Sequence, residues 1–201
     1  MIKHKNRKDD IYYLHEKIDK NGKTRYHFST KEDGCSNITK VPSGYEIYEK
    51  HYGQVFLRKK QPQIISDDEL ECVKKEISKH KHLTYTHVEV IKNNIVIYGA
   101  EIEVLEELED FLMKSPYVKK DDIDLGRFAH YSEKMRFELV DKEKRLFRPF
   151  RFCVRGGCDE WIDIDVPDLL KKHVTKYVDK IGTMSFFEIM PVWLLPKGVK
   201  S

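Results

Sequence analysis

The stretch that decides the fold is Arg145–Asp165, which reads RLFRPFRFCVRGGCDEWIDID. Two apolar-rich runs flank Gly156-Gly157. A Gly-Gly pair in this position predicts a tight β-hairpin, because both central residues of the favoured two-residue turn have positive φ. The cross-strand pairs expected from this loop are Arg155 with Cys158, Cys153 with Glu160, and Phe152 with Trp161.

The alternation of side chains along the two strands gives each face of this hairpin a different character. One face is expected to carry Arg151, Cys153, Arg155, Cys158 and Glu160. The other face is expected to carry Phe150, Phe152, Val154 and Trp161. The hairpin therefore predicts an antiparallel sheet in the C-terminal part of the chain.

Short segments of alternating polarity elsewhere predict further antiparallel strands. They cover residues 11–15, 24–29, 44–49, 54–60, 84–91, 95–98, 135–140 and 145–154. The first four predict one N-terminal meander, in which Asn21-Gly22 supplies a turn. The apolar run at 184–190 predicts a last buried strand.

Three longer segments repeat their apolar residues with the period of a helix. The first covers about 67–80 and begins with a capping box at Ser66 and Glu69; the second covers 101–114; the third begins near Pro167. The predicted fold class is α+β, with antiparallel β-meanders at both ends of the chain and about three amphipathic helices packed on them.

The 201 residues suffice for one large domain or two small ones. Residues 1–65 hold 14 Lys and Arg against 8 Asp and Glu, whereas residues 66–201 hold 23 against 26. We therefore predict a basic β-rich segment at 1–65 and an α+β segment at 66–201, with a soft boundary that also allows a single domain. A basic segment permits an anionic partner.

Several classes of protein are excluded by what the sequence lacks. No apolar run approaches the ~20 residues that cross a bilayer, so no membrane partner is expected. Four cysteines without framework spacing, and a basic N-terminus with no apolar segment after it, predict reduced thiols in the cytoplasm. Zincin, P-loop, dinucleotide-binding and nucleophile-elbow motifs are absent, and no cofactor is predicted.

The basic N-terminal segment holds the leading candidate site, which is the binding of an anionic partner, with nucleic acid as one candidate. The candidate residues are Lys3, Lys5, Arg7, Lys8, Arg58, Lys59 and Lys60. Aromatic residues are spread through the same segment: Tyr12, Tyr13, Tyr26, Phe28, Tyr45, Tyr48 and Phe56. Cations that neutralise phosphates and rings on which bases stack are the two requirements for binding a single strand. A non-enzymatic binding or interaction protein is therefore the preferred reading, although packing also favours aromatic residues in strands.

The alternative reading is a small hydrolase or metal-dependent enzyme whose site lies around the Cys153–Asp165 hairpin. Its metal or redox candidates are Cys153, Cys158, Asp159 and Asp163. Arginines on the face of the two cysteines would favour a thiolate, and neighbouring carboxylates suit a hard cation. The competing explanation is that the cysteines are small buried hydrophobic residues and the acidic run is an edge strand.

The predicted helix at 101–114 is acidic on one side, which carries Glu101, Glu103, Glu106, Glu107, Glu109 and Asp110. Such a face is usually solvated surface. A basic protein partner, or the basic N-terminal arm of this chain, is the alternative.

Two stretches resemble a family of uncharacterised bacterial proteins with no assigned function. They are 44–49 with 53–59, and 137–141 with 145–147 and 151–153. The resemblance covers most of the chain. It implies a bacterial, cytoplasmic protein and carries over no reaction, ligand or catalytic residue.

Overall fold

The structure, a computed structural model, describes residues 1–119, 123–155 and 158–194. The chain divides into two units. The first contains Met1–Pro62 and Leu105–Ala129, and the second contains Gln63–Val104 and the chain from His130 onward. All strand pairs are antiparallel in the described residues, and together with the helices they confirm the α+β class.

Five strands form two sheets in the first unit. β1 (Lys3–Lys5), β2 (Ile11–Ile18) and β3 (Thr24–Ser29) form a three-stranded sheet in that order, and β4 (Tyr45–Glu49) pairs with β5 (Val55–Lys59) in a separate hairpin. The predicted single meander of four strands is therefore wrong. After β3 the chain returns along β2, where the Ser36 N–H donates to the Leu14 carbonyl at 2.8 Å, instead of adding β4 to the edge.

Lys3–Lys5 is a strand, whereas the sequence predicted only a basic N-terminal arm. Its three residues are too few for a periodic signal, so only pairing with β2 identifies it. The Asn21-Gly22 turn is confirmed: Gly22 has a φ of 73° and Ile18 pairs with Thr24. Asp19 Oδ1 accepts from the backbone N–H groups of Asn21 and Lys23, which fixes this loop and the register of both strands.

The second unit is built on one sheet with the order β10-β9-β8-β7-β6, where β11 also pairs with β9. Its strands are β6 (Thr86–Ile91), β7 (Asn94–Ala100), β8 (Tyr131–Asp141), β9 (Leu146–Arg155), β10 (Cys158–Asp163) and β11 (Asp168–Leu169). The predicted pairs of the β9–β10 hairpin are all present in this register. The turn predicted at Gly156-Gly157 lies outside the described residues.

The described helices are α1 (Asp67–Ser78), α2 (Ile102–Met113), α3 (Leu170–Tyr177) and α4 (Met184–Phe187). The first three agree with the predicted helices. The strand predicted at 184–190 is wrong, because Met184–Phe187 is helical. Phe186 is buried while Met184 and Phe187 are exposed, so burial in this segment does not alternate as it would along a strand facing a core.

The core of the second unit lies between one face of the sheet and helices α1 and α3. Its sheet residues are Ile95, Ile97, Met135, Phe137, Leu139 and Phe147, and its helix residues include Val73, Ile77, Val174 and Val178. Burial of such side chains contributes ~1.5–3 kcal/mol each, which makes this face the main source of stability.

The start of α1 is fixed by the predicted capping box. Ser66 Oγ accepts from the Glu69 N–H at 3.3 Å, and Glu69 Oε2 accepts from the Ser66 N–H at 2.8 Å. Arg145, between β8 and β9, donates to Glu69 Oε1 at 2.9 Å and to the Ile64 carbonyl at 3.1 Å. This guanidinium therefore fastens α1 to the β8–β9 turn.

Candidate functional site

Pairing in the three-stranded sheet places exposed cations on one of its faces. Lys3 pairs with Tyr13, Lys5 with Ile11, His15 with His27, and Lys17 with Arg25. Because side chains alternate along strands, these residues share one face. We call the exposed basic members, Lys3, Lys5, Lys17, Arg25 and His27, the cationic face. The opposite face packs towards the β4–β5 hairpin, where Tyr26 meets Tyr45 edge-on.

The cationic face contains an unfavourable pair. Lys17 and Arg25 are direct cross-strand partners, and like charges directly opposite each other destabilise a sheet. Arg25 Nε donates a hydrogen bond to Asp19 Oδ2 at 3.1 Å. The Asp19 carboxylate also accepts hydrogen bonds from the Lys23 and Asn21 N–H groups of the turn, and these bonds lower its pKa. A bound anion would relieve the repulsion between the two cations.

His15 lies on the same side of the sheet as these cations but is not exposed. Its ring is buried, with Nδ1 at 3.0 Å from the Gly34 carbonyl and Nε2 at 2.8 Å from the Lys31 carbonyl. His27 stacks on His15 with ring centroids 5.1 Å apart. Loop 30–36 is thereby held against β2 on the same side of the sheet as the cationic face.

The cations predicted from sequence do not gather on one surface. Lys3 and Lys5 belong to the cationic face, and Lys5 Nζ lies 2.7 Å from Asp9, whose pKa it lowers. Arg7 Nε donates to Glu49 at 2.7 Å and so ties the β1–β2 turn to the β4–β5 hairpin.

Arg58 is also held within the unit. It donates to Glu46 at 2.8 Å and lies 3.7 Å from the centre of the Tyr48 ring. Lys59 and Lys60 are exposed at the end of β5, and Lys8 lies against Gly53 in a turn. Sequence reasoning missed Lys17 and Arg25, although their spacing on either side of Asn21-Gly22 could have indicated that they pair.

The aromatic residues of the first unit are largely occupied by their neighbours. The Arg58 guanidinium lies over the Tyr48 ring, and Lys50 Nζ lies 5.1 Å from the centre of the Phe56 ring. Lys3 Nζ lies over the ring of Tyr13, which is buried. Ring faces that already hold a cation offer little area to a nucleobase. These three rings are therefore poorly placed to stack on a base.

The metal or redox candidates lie on opposite faces of the second unit's sheet. Cys153 pairs with Glu160, whereas Asp159 and Asp163 pair with Val154 and Phe150 on the other face. Cys153, Cys35 and Cys72 are free thiols, and the side chain of Cys158 lies outside the described residues. The described residues hold no group of three or more metal-ligating side chains.

The Asp163 carboxylate forms an ion pair with Arg148 and is therefore not free to bind a metal ion. Arg148 NH1 is 3.4 Å from Asp163 Oδ2. Burial raises the pKa of Asp163, although the Arg148 charge acts in the opposite direction. Beside this pair, the Arg136 guanidinium lies 4.6 Å from the ring centres of both Phe150 and Trp161. The sheet face on which Asp163 lies therefore presents arginine and aromatic side chains, and its described residues form no metal-binding geometry.

A buried polar network that the sequence did not reveal joins β10, β11 and α3. Asp165 Oδ2 accepts from Tyr177 Oη at 2.7 Å and from Lys176 Nζ at 3.0 Å, and Asp165 Oδ1 accepts from the Val166 N–H at 2.8 Å. Burial opposes ionisation of Asp165, but these hydrogen bonds outweigh it and lower its pKa. Burial and the bond to Asp165 raise the pKa of Tyr177.

His173 is the remaining member of the network. Histidine often acts as a catalytic base, but this side chain lacks the access to solvent that such a base needs. Its Nε2 lies 2.9 Å from the Phe147 carbonyl and 3.1 Å from the Asp168 N–H, while Nδ1 faces Asp165 Oδ2 at 3.8 Å. Burial lowers the pKa of His173, and the ring is 2% exposed. Both nitrogens are used to join β9, β11 and α3, so this network is structural.

Replacing Tyr177 by Phe should destabilise the protein, because the buried Asp165 carboxylate loses a donor. A hydrogen bond to a charged group contributes ~1.5–3 kcal/mol, and we expect a loss of that size in the free energy of unfolding at neutral pH, measured by urea denaturation. The low pKa of Asp165 gives stability that is present above an unfolded-state pKa of ~3.9 and is lost as pH falls through the folded-state pKa.

The difference between the wild type and Tyr177→Phe should therefore shrink in acid. Tyr117→Phe is the matched control, because Tyr117 is 92% exposed and its hydroxyl accordingly contributes little. A Tyr177→Phe effect that is absent at neutral pH, or that is equal at neutral and strongly acidic pH, would contradict the assigned network.

Among the described residues, no helix is long and apolar enough to cross a membrane. Comparison with protein-family models, curated proteins and solved structures gives no significant match for this chain.

Proposed function

We propose that this protein is a non-enzymatic binding protein whose anionic partner, single-stranded nucleic acid, lies across the cationic face. The observation that carries the proposal is the direct pairing of Lys17 with Arg25, with Lys3 and Lys5 exposed on the same face. A sheet gains no stability from opposed cations, so an anion is the simplest reason for them.

The spacing of the cationic face suits an extended polyanion. Lys5 and Lys3 pair with Ile11 and Tyr13 of β2, and Lys17 lies further along the same strand on the same face, opposite Arg25. Two residues of a strand advance by ~7 Å, so these cations are spread over ~20 Å along the strand direction. An extended sugar–phosphate backbone spreads its charge in the same manner, whereas a compact anion would meet only part of this span.

Fluorescence anisotropy with a short labelled DNA strand tests the proposal. Four phosphate contacts give a log–log salt slope of magnitude about 2.8, so affinity should fall by about fifty-fold between 50 and 200 mM salt. The variant with Lys3, Lys5, Lys17 and Arg25 all replaced by Gln should lose the salt-dependent binding. Stacking should add little, because the aromatic rings are occupied.

The matched control replaces Lys59, Lys60, Lys142 and Lys144 by Gln, which removes the same charge from exposed positions elsewhere. It should retain most of the affinity. Equal losses in both variants would indicate a general charge effect and contradict a defined face. Equal affinity for inorganic polyphosphate would show that the face recognises a polyanion without requiring a nucleic acid. Lys17→Gln alone should be no less stable than the wild type, because it removes a repulsion.

A protein partner at α2 is a second, separate proposal. Phe111 is 69% exposed on this helix, and Glu107 and Asp110 are exposed beside it. An apolar side chain next to carboxylates complements a basic amphipathic helix, which would place an apolar residue on Phe111 and cations on the acids.

A labelled helical peptide of leucine and lysine tests this second proposal. It should bind the wild type and lose at least about tenfold in affinity with Phe111→Ser, while a leucine–glutamate peptide should not bind. Tyr117→Ser, at an even more exposed aromatic residue outside the helix, is the control. Unchanged affinity in Phe111→Ser would remove α2 as the contact.

The cytoplasmic setting is also proposed. It rests on cysteines without framework spacing and on the free thiols of Cys35, Cys72 and Cys153, which a reducing compartment maintains.

A further inference from the structure

The second unit contains a cleft that the cationic face does not explain. It lies where the C-terminal end of α1 meets the first residues of β6, and its volume is about 490 Å³. Pockets of ~300–1,000 Å³ accommodate small organic ligands. Ile77, Leu83 and Val88 contribute apolar surface to its lining, and Ile77 and Leu83 belong to the core of the unit.

The polar part of the lining is basic. Lys74, Lys81, His80 and His87 line the cleft, and no acidic residue does so among the described residues. Lys74 and Lys81 are exposed and make no ion pair within the described part of the chain. An anion entering the cleft would thus meet two cations that have no competing carboxylate partner.

Compensation of the α1 macrodipole explains only part of this charge. Cations suit the C-terminal turn of a helix, and Lys79 and His80 lie there, both beside Glu76 at 2.8 and 3.5 Å. Lys81 and His87 belong to the following turn and to β6. The macrodipole therefore does not account for these two side chains, and the His87 ring lies 6.3 Å from the Tyr98 ring.

The lining of the cleft also contains the hydroxyl groups of Ser78, Thr84 and Thr86. Ser78 Oγ donates to the Lys75 carbonyl at 2.9 Å, and Thr84 Oγ1 donates to the Lys81 carbonyl at 2.6 Å. The hydroxyl donors of Ser78 and Thr84 are used within the chain, so the two lysines are the charged donors best placed to hold an acid group. A small inorganic anion would leave the apolar surface of the cleft uncovered.

We infer that this cleft binds a small organic anion that has an aromatic or aliphatic body. The acid group, a carboxylate, sulfonate or phosphate monoester, pairs with Lys74 and Lys81, and the apolar body covers Ile77, Leu83 and Val88. The inference is independent of nucleic-acid binding, because none of the cleft's cations belongs to the cationic face.

The test uses the full chain with 8-anilinonaphthalene-1-sulfonate as the probe and its uncharged analogue N-phenyl-1-naphthylamine as the comparison. The sulfonate should bind saturably at one site, and Lys74→Gln/Lys81→Gln should weaken it by about tenfold or more, because two charged contacts are lost. Lys142→Gln/Lys144→Gln, which removes the same charge outside the cleft, should not. Phenyl phosphate should compete, and inorganic phosphate should not.

Chemical shifts locate the probe and separate this proposal from the proposed function. Backbone amides of Ser78, Lys81 and Thr86 should move on titration, and Lys74→Gln/Lys81→Gln should retain its affinity for the DNA strand. Sulfonate affinity that is unchanged in this variant would overturn the inference, because the probe would then bind an exposed apolar surface elsewhere. Equal binding of the uncharged analogue, or no saturable binding, would overturn it as well.

Discussion

The register between β2 and β3 is the constraint on which the proposed binding surface depends. Asp19 and Gly22 fix a five-residue loop, Ile18 meets Thr24, and every later pair follows from this alignment. Because the side-chain period of a strand is two, a slip of one residue would move Lys17 and Arg25 to opposite faces. The loop therefore sets where charge accumulates as well as how the strands pair.

Charge is used differently in the two units. In the second unit, three cations pair with carboxylates of other elements: Arg145 with Glu69, Arg148 with Asp163, and Lys176 with Asp165. These pairs fasten helices and turns to the sheet. In the first unit, Arg7 and Arg58 serve the same purpose. The cationic face differs because it places Lys17 directly opposite Arg25, although Lys5 and Arg25 also meet Asp9 and Asp19. Under the proposed function, the opposed Lys17–Arg25 pair is a cost in stability that accompanies a binding surface.

Much of the fold could be predicted from local patterns, and the failures have identifiable causes. The β9–β10 pairs follow from alternation about Gly156-Gly157, and the start of α1 follows from Ser66 and Glu69, because both signals lie within a few residues. The prediction of a strand at 184–190 was wrong because a short apolar run does not distinguish a strand from a helix. The spacing of Phe186 and Ile189 is nevertheless helical. The pairing of Lys17 with Arg25 was accessible from the turn, whereas the Asp165–Tyr177 bond depends on long-range packing.

Shift mapping of the isotope-labelled protein with an unlabelled DNA strand at low salt tests the central claim most directly. Contact with the cationic face should move the backbone amides of β1, β2 and β3, with the largest changes at Lys3, Lys5, Lys17, Arg25 and His27, and added salt should reverse them. Amides of the β4–β5 hairpin end and of the second unit should remain in place. Shifts centred at Lys59 and Lys60, shifts spread over both units, or no shifts at all would contradict the account.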